Sequence, residues 1–495
     1  MPEDSSATGE SRPESSARLE RIPAAPRHIH LMGVGGSAMA ALAGMLAERG
    51  LHVTGSDNQI YEPAASMLRR LRIDIRPSYS PSNLEPPPDL VVVGNVITRS
   101  NPEAAALLGT NIPYLSMPEA LWHFFLRGRR VLMVAGTHGK TTSTAMMARV
   151  LEAAGRDPSM MIGGVARDFS ANYRHGNGAE FVIEGDEYDT AFFDKGPKFL
   201  HYRPSGTIIT AVEFDHADIY RDLEHVKASF RALSEQLGPE DVLAVSADFP
   251  DALEVTIDTR ARRLMFGLIS GEYRAVGIEN DAHGANFSII QHERQIAHDI
   301  RLPAGGRMNV ANALGVWVLL KEFGLSDQEL ADGLANFNGV MRRQEIVGEA
   351  AGITVIDDFA HHPTAIRATL EAIVERYPGR RVLAAFEPRS NTARRSVFQA
   401  DFAEVFDLAA RVYLAPVYFK ENDPIPPAGR LDLEILADAV SARGPAALAC
   451  ASIDAIADRM LADCQAGDVL LCMSNGPFED LPDRLLKALH HRAHG

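Results

Sequence analysis

The stretch VLMVAGTHGKTTS, residues 131–143, decides the fold of this chain. An apolar run leads into a glycine turn, and Lys140 and a stretch with helical periodicity follow, to about residue 154. Glycines let the backbone turn tightly, so that its N–H groups can surround phosphate oxygens, and the helix adds the positive end of its dipole. The stretch is therefore a phosphate loop between a strand and a helix, which predicts a parallel α/β sheet around it.

The residues of this loop suit a nucleoside triphosphate. Lys140 can reach the β- and γ-phosphates, and the hydroxyl of Thr141 can ligate Mg²⁺. The strict pattern has a glycine where Val134 stands, so this loop is a shorter variant that begins at Gly136. We expect ATP to be held by seven consecutive residues: Gly136, Thr137, His138, Gly139, Lys140, Thr141 and Thr142.

Two acidic clusters follow the next two predicted strands. EGDE at 184–187 comes after an apolar run, and EFDHAD at 213–218 comes after the run TIIT. Because the carboxyl ends of parallel strands meet where such sheets bind ligands, both clusters should lie near the phosphate loop. Glu187 would suit a hard oxygen-ligand site for Mg²⁺. The alternative for either cluster taken alone is a solvated acidic loop.

A second glycine turn, GVGGSA at 33–38, matches the lenient dinucleotide pattern GxGxxA. Asp57 lies about twenty residues further on, after the second predicted strand. The pattern predicts a diphosphate on a helix N-terminus and an acid near a hydroxyl group. NAD and a UDP-sugar both satisfy that chemistry, and a turn that serves packing alone is the third possibility.

Composition and charge exclude several classes of function. The chain has 495 residues, 46% of them hydrophobic, and a formal net charge of -16, which argues against nucleic-acid binding. No run approaches the ~18 apolar residues of a membrane span, and the N-terminus lacks a signal peptide. The three cysteines lack metal-site spacing and indicate reduced thiols. We expect a cytoplasmic protein that acts on small molecules, with no nucleic-acid or membrane partner.

The order of strand-like and helix-like segments predicts an α/β protein with three domains. Residues 1–26 are rich in Ser, Glu, Pro and Arg and should be a disordered tail. Residues 27–126 should form a Rossmann-like domain around the second glycine turn. Residues 127–337 should form a central, phosphate-loop ATPase-like domain with a parallel sheet. Residues 338–495 should form a C-terminal Rossmann-like α/β domain.

Taken together and in order, the motifs resemble the Mur ligase family of peptidoglycan synthesis, over nearly the whole chain after Pro26. The motifs that carry the resemblance are GVGGSAMA (33–40), GTHGKTT (136–142), EGDEYD (184–189), EFDHAD (213–218), NVANA (309–313), MRRQE (341–345), DDFAHHPTA (357–365) and EPRSNT (387–392). The resemblance implies an ATP- and Mg²⁺-dependent amide-bond ligase that activates a carboxylate as an acyl phosphate.

The resemblance also implies a role for individual residues. Four would bind the UDP-sugar: Gly35, Gly36, Ser37 and, at the uridine end, Asp57. Three would bind Mg²⁺: Thr141, Glu187 and His216. Four more would contact ATP: Asn309 and Asn312 at the adenine, and Arg343 and Asp358 from the third domain. The catalytic set would be Lys140, Glu187, His216 and Arg343. The roles of His361 and His362 stay open, and Lys227 is a weak candidate for the carbamylated lysine of some relatives.

The acceptor is inferred from three stretches: 187–204, 387–392 and MSNGPF at 473–478. Within the family they are most similar to enzymes that join UDP-N-acetylmuramate to the recycled tripeptide L-alanyl-γ-D-glutamyl-meso-diaminopimelate. Arg389 should bind a peptide carboxylate, because its planar fork suits bidentate contact. The other candidate peptide-binding residues are Ser390, Asn391, Thr392 and Asn475.

Three other functions remain as alternatives. The first is the ligase that adds L-alanine to UDP-N-acetylmuramate in peptidoglycan biosynthesis. The second is an NAD-dependent oxidoreductase, which the GxGxxA turn and Asp57 would support. The third is a phosphate-loop ATPase that works as a mechanical or signalling module. Neither of the last two accounts for the phosphate loop, the glycine turn and both acidic motifs at once.

Overall fold

The computed structural model describes residues 18–494, apart from positions 418, 420–422 and 424. The chain divides into two compact units. The first takes the chain as far as Val212 together with Lys227–Met265 and Gly315–Gly333. The second takes Glu213–Val226, Phe266–Leu314 and the chain from Leu334 onward. Parallel strands alternate with helices in both units, so the predicted α/β class is confirmed.

The first unit opens with a five-stranded parallel sheet in the order β3-β2-β1-β4-β5, which is the doubly wound order without its sixth strand. Its strands are β1 (His28–Met32), β2 (His52–Ser56), β3 (Asp74–Arg76), β4 (Leu90–Val93) and β5 (Tyr114–Ser116). Its helices are Ser37–Glu48, Ala64–Arg70, Pro102–Leu108 and Met117–Leu121. All of β4 is buried, as a parallel strand covered on both faces must be.

A second sheet in the first unit has the order β13-β12-β6-β9-β7-β8, parallel except for the edge strand β8. The strands are β6 (Arg130–Ala135), β7 (Ser159–Ala166), β8 (Ala171–Arg174), β9 (Glu180–Gly185), β12 (Gly206–Ile209) and β13 (Val242–Ser246), with a small hairpin of β10 (Asp189–Ala191) and β11 (Asp194–Pro197). The helices include Lys140–Ala153 and Pro250–Glu254, and Leu223–Gln236, Arg307–Glu322 and Asp327–Ala335 cross the division between units. The phosphate loop follows β6, in the middle of this sheet.

The second unit contains a meander and a six-stranded sheet. The meander consists of β15 (Tyr273–Asp281), β16 (Gly284–Gln291) and β17 (Arg294–Leu302), next to β14 (Arg262–Gly267). The sheet has the order β18-β19-β23-β20-β21-β22 and is parallel except for β18. Its strands are β18 (Glu345–Ala350), β19 (Ile353–Asp358), β20 (Val382–Phe386), β21 (Arg411–Leu414), β22 (Ala446–Ala449) and β23 (Val469–Met473). Its helices are Pro363–Arg376, Gln399–Glu404, Leu433–Ser441, Ile453–Asp463 and Leu481–His494.

The predicted disordered tail lies outside the described residues as far as position 17. From Arg18 onward the structure differs from that prediction, because the Arg18 guanidinium pairs with the buried Glu119 carboxylate at 2.7 Å. The Arg18 guanidinium also lies 4.8 Å from the centre of the Phe193 ring. Within the described part of the chain, no helix has both the length and the apolar character that crossing a membrane demands.

Candidate active site

The phosphate loop has the backbone that its sequence predicts. Gly136 has φ of 130°, and a Cβ there would lie 2.2 Å from the Thr210 hydroxyl oxygen, so only glycine fits. Gly139 has φ of 78° and directly precedes the helix Lys140–Ala153, whose start carries no side-chain cap. The first N–H groups of that helix are therefore open to an anion.

Lys140 and Thr141 each face a different carboxylate of the first acidic motif. The Lys140 ammonium donates to Glu187 at 2.9 Å and to the carbonyl of Gly136 at 2.6 Å. The Thr141 hydroxyl lies 3.0 Å from both carboxylate oxygens of Glu184. The residue beside the proposed metal-binding hydroxyl is thus Glu184, which is not among the ligands predicted from the sequence, whereas Glu187 pairs with the lysine. The position of Glu184 near the end of β9, which pairs with β6, is the sequence feature that points to it.

Burial and neighbouring charges together determine the charge states of Glu184 and Lys140. Burial raises the pKa of the Glu184 carboxyl, against the opposing effect of Lys140. Burial would lower the pKa of Lys140, but the negative charges of Glu187 and Glu184 outweigh it and raise that pKa. The lysine therefore stays cationic, as the neutralisation of a triphosphate requires.

The N-terminal glycine turn leaves a helix start exposed. Gly36 and Ser37 are exposed, and Gly36, the residue that precedes the helix Ser37–Glu48, provides no side-chain cap. The backbone N–H of Gly35 donates to the Asp57 carboxylate at 2.8 Å. Asp57 thus stabilises the glycine turn itself. This contact is additional to the uridine recognition that the family resemblance implies for Asp57.

The second acidic motif, in the second unit, is organised around buried Asp215. Its carboxylate accepts from the backbone N–H of His216 at 2.7 Å, and ring nitrogens of His216 and His361 lie 3.9 Å from it. Burial would raise the pKa of the Asp215 carboxyl, but the charges of His216, His361 and His362 hold it well below its usual range. Burial, followed by the charges of Arg343 and His216, lowers the pKa of His361.

The side chain of His362 has a structural role at the start of a helix. Its Nδ1 accepts from the backbone N–H of Thr364 at 3.3 Å and so caps the helix Pro363–Arg376. Its Nε2 lies 3.2 Å from the carbonyl oxygen of Phe214. The Thr364 hydroxyl donates to Glu213 at 3.0 Å. The start of this helix therefore supports the loop that carries His216.

The predicted ATP contacts of the second unit are partly engaged within it. The Arg343 guanidinium lies 4.4 Å from the centre of the Phe359 ring. Asp358 is buried and accepts from the backbone N–H groups of Gln344 and Ala360, each at 2.7 Å, so it shapes the turn beside Arg343. In the helix Arg307–Glu322, Asn309 donates to the carbonyl of Gly305 at 2.8 Å and Asn312 is buried.

Arg389 is the charged residue of the predicted peptide-binding set, and its guanidinium is accessible to a ligand. Its side chain is half exposed, and its ion pair with Glu387 is 3.3 Å long. It packs on Gly476, where a Cβ would overlap it, next to Asn475. The side-chain oxygen of Asn475 is buried and has no hydrogen-bond partner among the described residues. An exposed cation and a buried amide oxygen without a partner therefore belong to neighbouring parts of the same loop region.

The other predicted peptide-binding residues fix the local loop. Ser390 accepts from the N–H of Ala393 at 3.0 Å, and Asn391 donates to Asp218 at 2.8 Å. Thr392 is buried and accepts from the N–H of Ala217 at 3.1 Å. These contacts tie the loop to the second acidic motif.

Lys227, the weak candidate for carbamylation, is an ordinary buried ammonium. It pairs with Asp251 at 2.9 Å and with Glu254 at 2.5 Å. Two carboxylates suit a cation and would repel a carbamate, so the structure argues against that modification.

The sheets and the phosphate loop define the class of phosphate-loop α/β proteins. Three profiles match the chain in order: Mur ligase family, catalytic domain, over 28–129; Mur ligase middle domain over 134–320; and Mur ligase, glutamate ligase domain, over 342–476. The chain belongs to the Mur ligase family, as its motifs predicted, and it is a ligase with the three domains of that family.

Relatives of known name cover nearly the whole chain. Two are named UDP-N-acetylmuramate–L-alanyl-γ-D-glutamyl-meso-2,6-diaminoheptandioate ligase. The one from Haemophilus influenzae is 37% identical over 94% of this chain and 99% of its own, and the one from Escherichia coli is 36% identical over the same shares. A murein peptide ligase structure from Psychrobacter arcticus is 32% identical, with a TM-score of 0.70 over 94% of this chain and 99% of that chain. A UDP-N-acetylmuramate–alanine ligase structure from Thermotoga maritima is 25% identical, with a TM-score of 0.77 over the same shares.

Proposed function

We propose that this chain joins UDP-N-acetylmuramate to L-alanyl-γ-D-glutamyl-meso-diaminopimelate, using ATP and Mg²⁺, in the cytoplasm. The observation that carries the proposal is the phosphate loop, in which Lys140 and Thr141 each face a carboxylate. Relatives at 36–37% identity that bear the name of this reaction support the acceptor.

The residues present suit a magnesium nucleotide. Only glycine fits at position 136 of the loop, the helix start at Lys140 is uncapped, and the Thr141 hydroxyl and Glu184 offer the hard oxygens that Mg²⁺ prefers. When bound, Mg²⁺ would neutralise phosphate charge and polarise the γ-phosphoryl group. Glu187 or Glu184 would be the further metal ligand from this unit, and the role of His216 stays a prediction from the family resemblance.

The chain's own residues then supply position and charge. Lys140 would neutralise the approach of the lactyl carboxylate to the γ-phosphate, and the open helix start at Ser37 would hold the diphosphate. The acyl phosphate formed would be attacked by the α-amine of the peptide, with loss of phosphate. Arg389 would bind a carboxylate of the incoming peptide, and the side-chain oxygen of Asn475 would accept a hydrogen bond from a peptide N–H group.

Phosphate release tests the acceptor directly. With ATP, Mg²⁺ and UDP-N-acetylmuramate present, we expect release on addition of the tripeptide and only background with L-alanine. Release with L-alanine alone would reassign the enzyme to the alanine-adding step, the activity named for relatives at 31–33% identity. In the same assay, Arg389→Ala should raise the KM for the tripeptide by about tenfold, as expected for one charge-assisted contact, and leave the KM for ATP unchanged.

A further inference from the structure

The helix Ser37–Glu48, which begins at the N-terminal glycine turn, is held at its start by the edge strand β8. The side-chain amide of Asn172 donates to both the carbonyl oxygen and the hydroxyl oxygen of Ser37, each at 3.1 Å. Asn172 is only 7% exposed, so it acts on this turn from beneath, without access to a ligand.

The same strand holds the rest of the helix. A Cβ on Gly44 would lie 2.5 Å from the hydroxyl oxygen of Tyr173, so the tyrosine packs directly on the helix backbone. That hydroxyl donates to Glu48, the last residue of the helix, at 2.9 Å. Adjacent residues of β8 thus fix the helix at its start, middle and end.

The backbone of one residue, Gly163, connects the glycine turn with the phosphate loop. The Ser37 hydroxyl donates to the carbonyl of Gly163 at 3.1 Å, and the N–H of Gly163 donates to Glu184 at 2.8 Å. Glu184 also accepts from the Thr141 hydroxyl. The Ser37 hydroxyl therefore donates its proton to the carbonyl oxygen of Gly163 in β7 and accepts from the side-chain amide of Asn172. Only the backbone N–H groups of the helix start are left to face an anion.

We propose that Asn172 is a positioning residue for the nucleotide-sugar. It fixes the helix start that holds the diphosphate, and so sets where the muramyl carboxylate lies relative to the phosphate loop. The inference rests on the proposed function, because it takes UDP-N-acetylmuramate as the ligand of the turn. It adds a residue outside the N-terminal domain, and outside every motif described above, to the determinants of sugar binding.

Titration calorimetry with UDP-N-acetylmuramate tests this proposal on the full chain. Asn172→Ala should raise the Kd by about tenfold, the size expected when a hydrogen-bonded orientation is lost. Asn172→Asp keeps the volume of the side chain but cannot donate, so it should weaken binding at least as much. The KM for ATP should change by less than about twofold in both variants, since the phosphate loop keeps its own contacts.

Tyr173→Phe is the matched control, because it removes only the bond to Glu48 at the far end of the helix. It should lower the melting temperature and leave the Kd for the sugar nucleotide unchanged. If both Asn172 variants lose thermal stability while binding as tightly as wild type, Asn172 is structural and the proposal is wrong. If the wild-type chain itself does not bind UDP-N-acetylmuramate, the proposed function fails, and the positioning role fails with it.

Discussion

Two carboxylates of one motif, three residues apart, take different partners in this site. Glu184 is the last residue but one of β9, which pairs with the strand before the phosphate loop, and it lies in register with Val134. Glu187 lies beyond Gly185 and turns back to Lys140. The sequence predicts a carboxylate beside the loop, but the turn after the strand decides which one, and that turn depends on contacts that no periodicity shows.

Exchanging each of these carboxylates for an amide separates their roles. We expect Glu184→Gln to raise the Mg²⁺ concentration for half-maximal activity by about tenfold or more, because one ligand charge beside Thr141 is lost. Glu187→Gln should instead raise the KM for ATP, because Lys140 loses its orienting partner. Phosphate release titrated with Mg²⁺ measures the first effect, and phosphate release titrated with ATP at saturating Mg²⁺ measures the second. A raised Mg²⁺ requirement in Glu187→Gln alone would restore the assignment made from sequence.

At the scale of elements, buried parallel strands were predicted best. The apolar run before the phosphate loop lies in β6, and most of the run TIIT lies in β12, because continuous apolar segments bounded by turns indicate such strands. The meander of β15, β16 and β17 was missed. Its first strand contains Gly277 and ends in the polar run Glu279, Asn280 and Asp281, residues that are mostly depleted in strands, so the sequence resembles a loop.

A matched pair of glycines flanks the helix Lys140–Ala153: Gly136 lies before its start and Gly155 lies after its end. Gly136→Ala should reduce kcat/KM by about a hundredfold or more, because its Cβ would displace Thr210 and distort the phosphate loop. Gly155 also has a positive φ, 72°, but nothing lies within 4 Å of a Cβ there. Gly155→Ala should therefore cost about 1 kcal/mol of stability and leave kcat/KM unchanged. Equal loss of activity in both variants would contradict the steric argument.

At the scale of the whole molecule, acid sensitivity should come in part from Asp194. Burial would raise the pKa of this carboxyl, but the contact with His201, 3.0 Å away, holds it below its usual value. Because its pKa is lower in the folded state, the group stabilises the protein above about pH 4 and loses that effect as the pH falls. Asp194→Asn should therefore lower the melting temperature at pH 7 by several degrees, and by less near pH 3.5.

Asp281 provides the exposed control for that prediction. Arg301 and the backbone N–H of His283 lower its pKa to about 2, yet the carboxylate is exposed and solvent screens the pair. Asp281→Asn should leave the melting temperature nearly unchanged at either pH. Scanning calorimetry of both variants makes the comparison, and equal shifts would show that burial is not the deciding factor.

The three predicted domains fall into two units because packing does not respect their boundaries. The N-terminal sheet and the phosphate-loop sheet belong to one unit, joined where Tyr173 packs on Gly44. The sequence shows Gly44 only as a small residue in a helix, and the tyrosine that requires it lies far along the chain. Separation along the sequence hides such contacts.

The packing of Tyr173 on Gly44 determines where the chain can be divided into fragments. A fragment ending near residue 128 would expose the groove over Gly44 and leave Glu48 without the tyrosine hydroxyl that it accepts from. A transplanted N-terminal module from another ligase would have to bring its own edge strand with it. The smallest segment that can be exchanged between such ligases with its packing intact is therefore larger than the N-terminal domain.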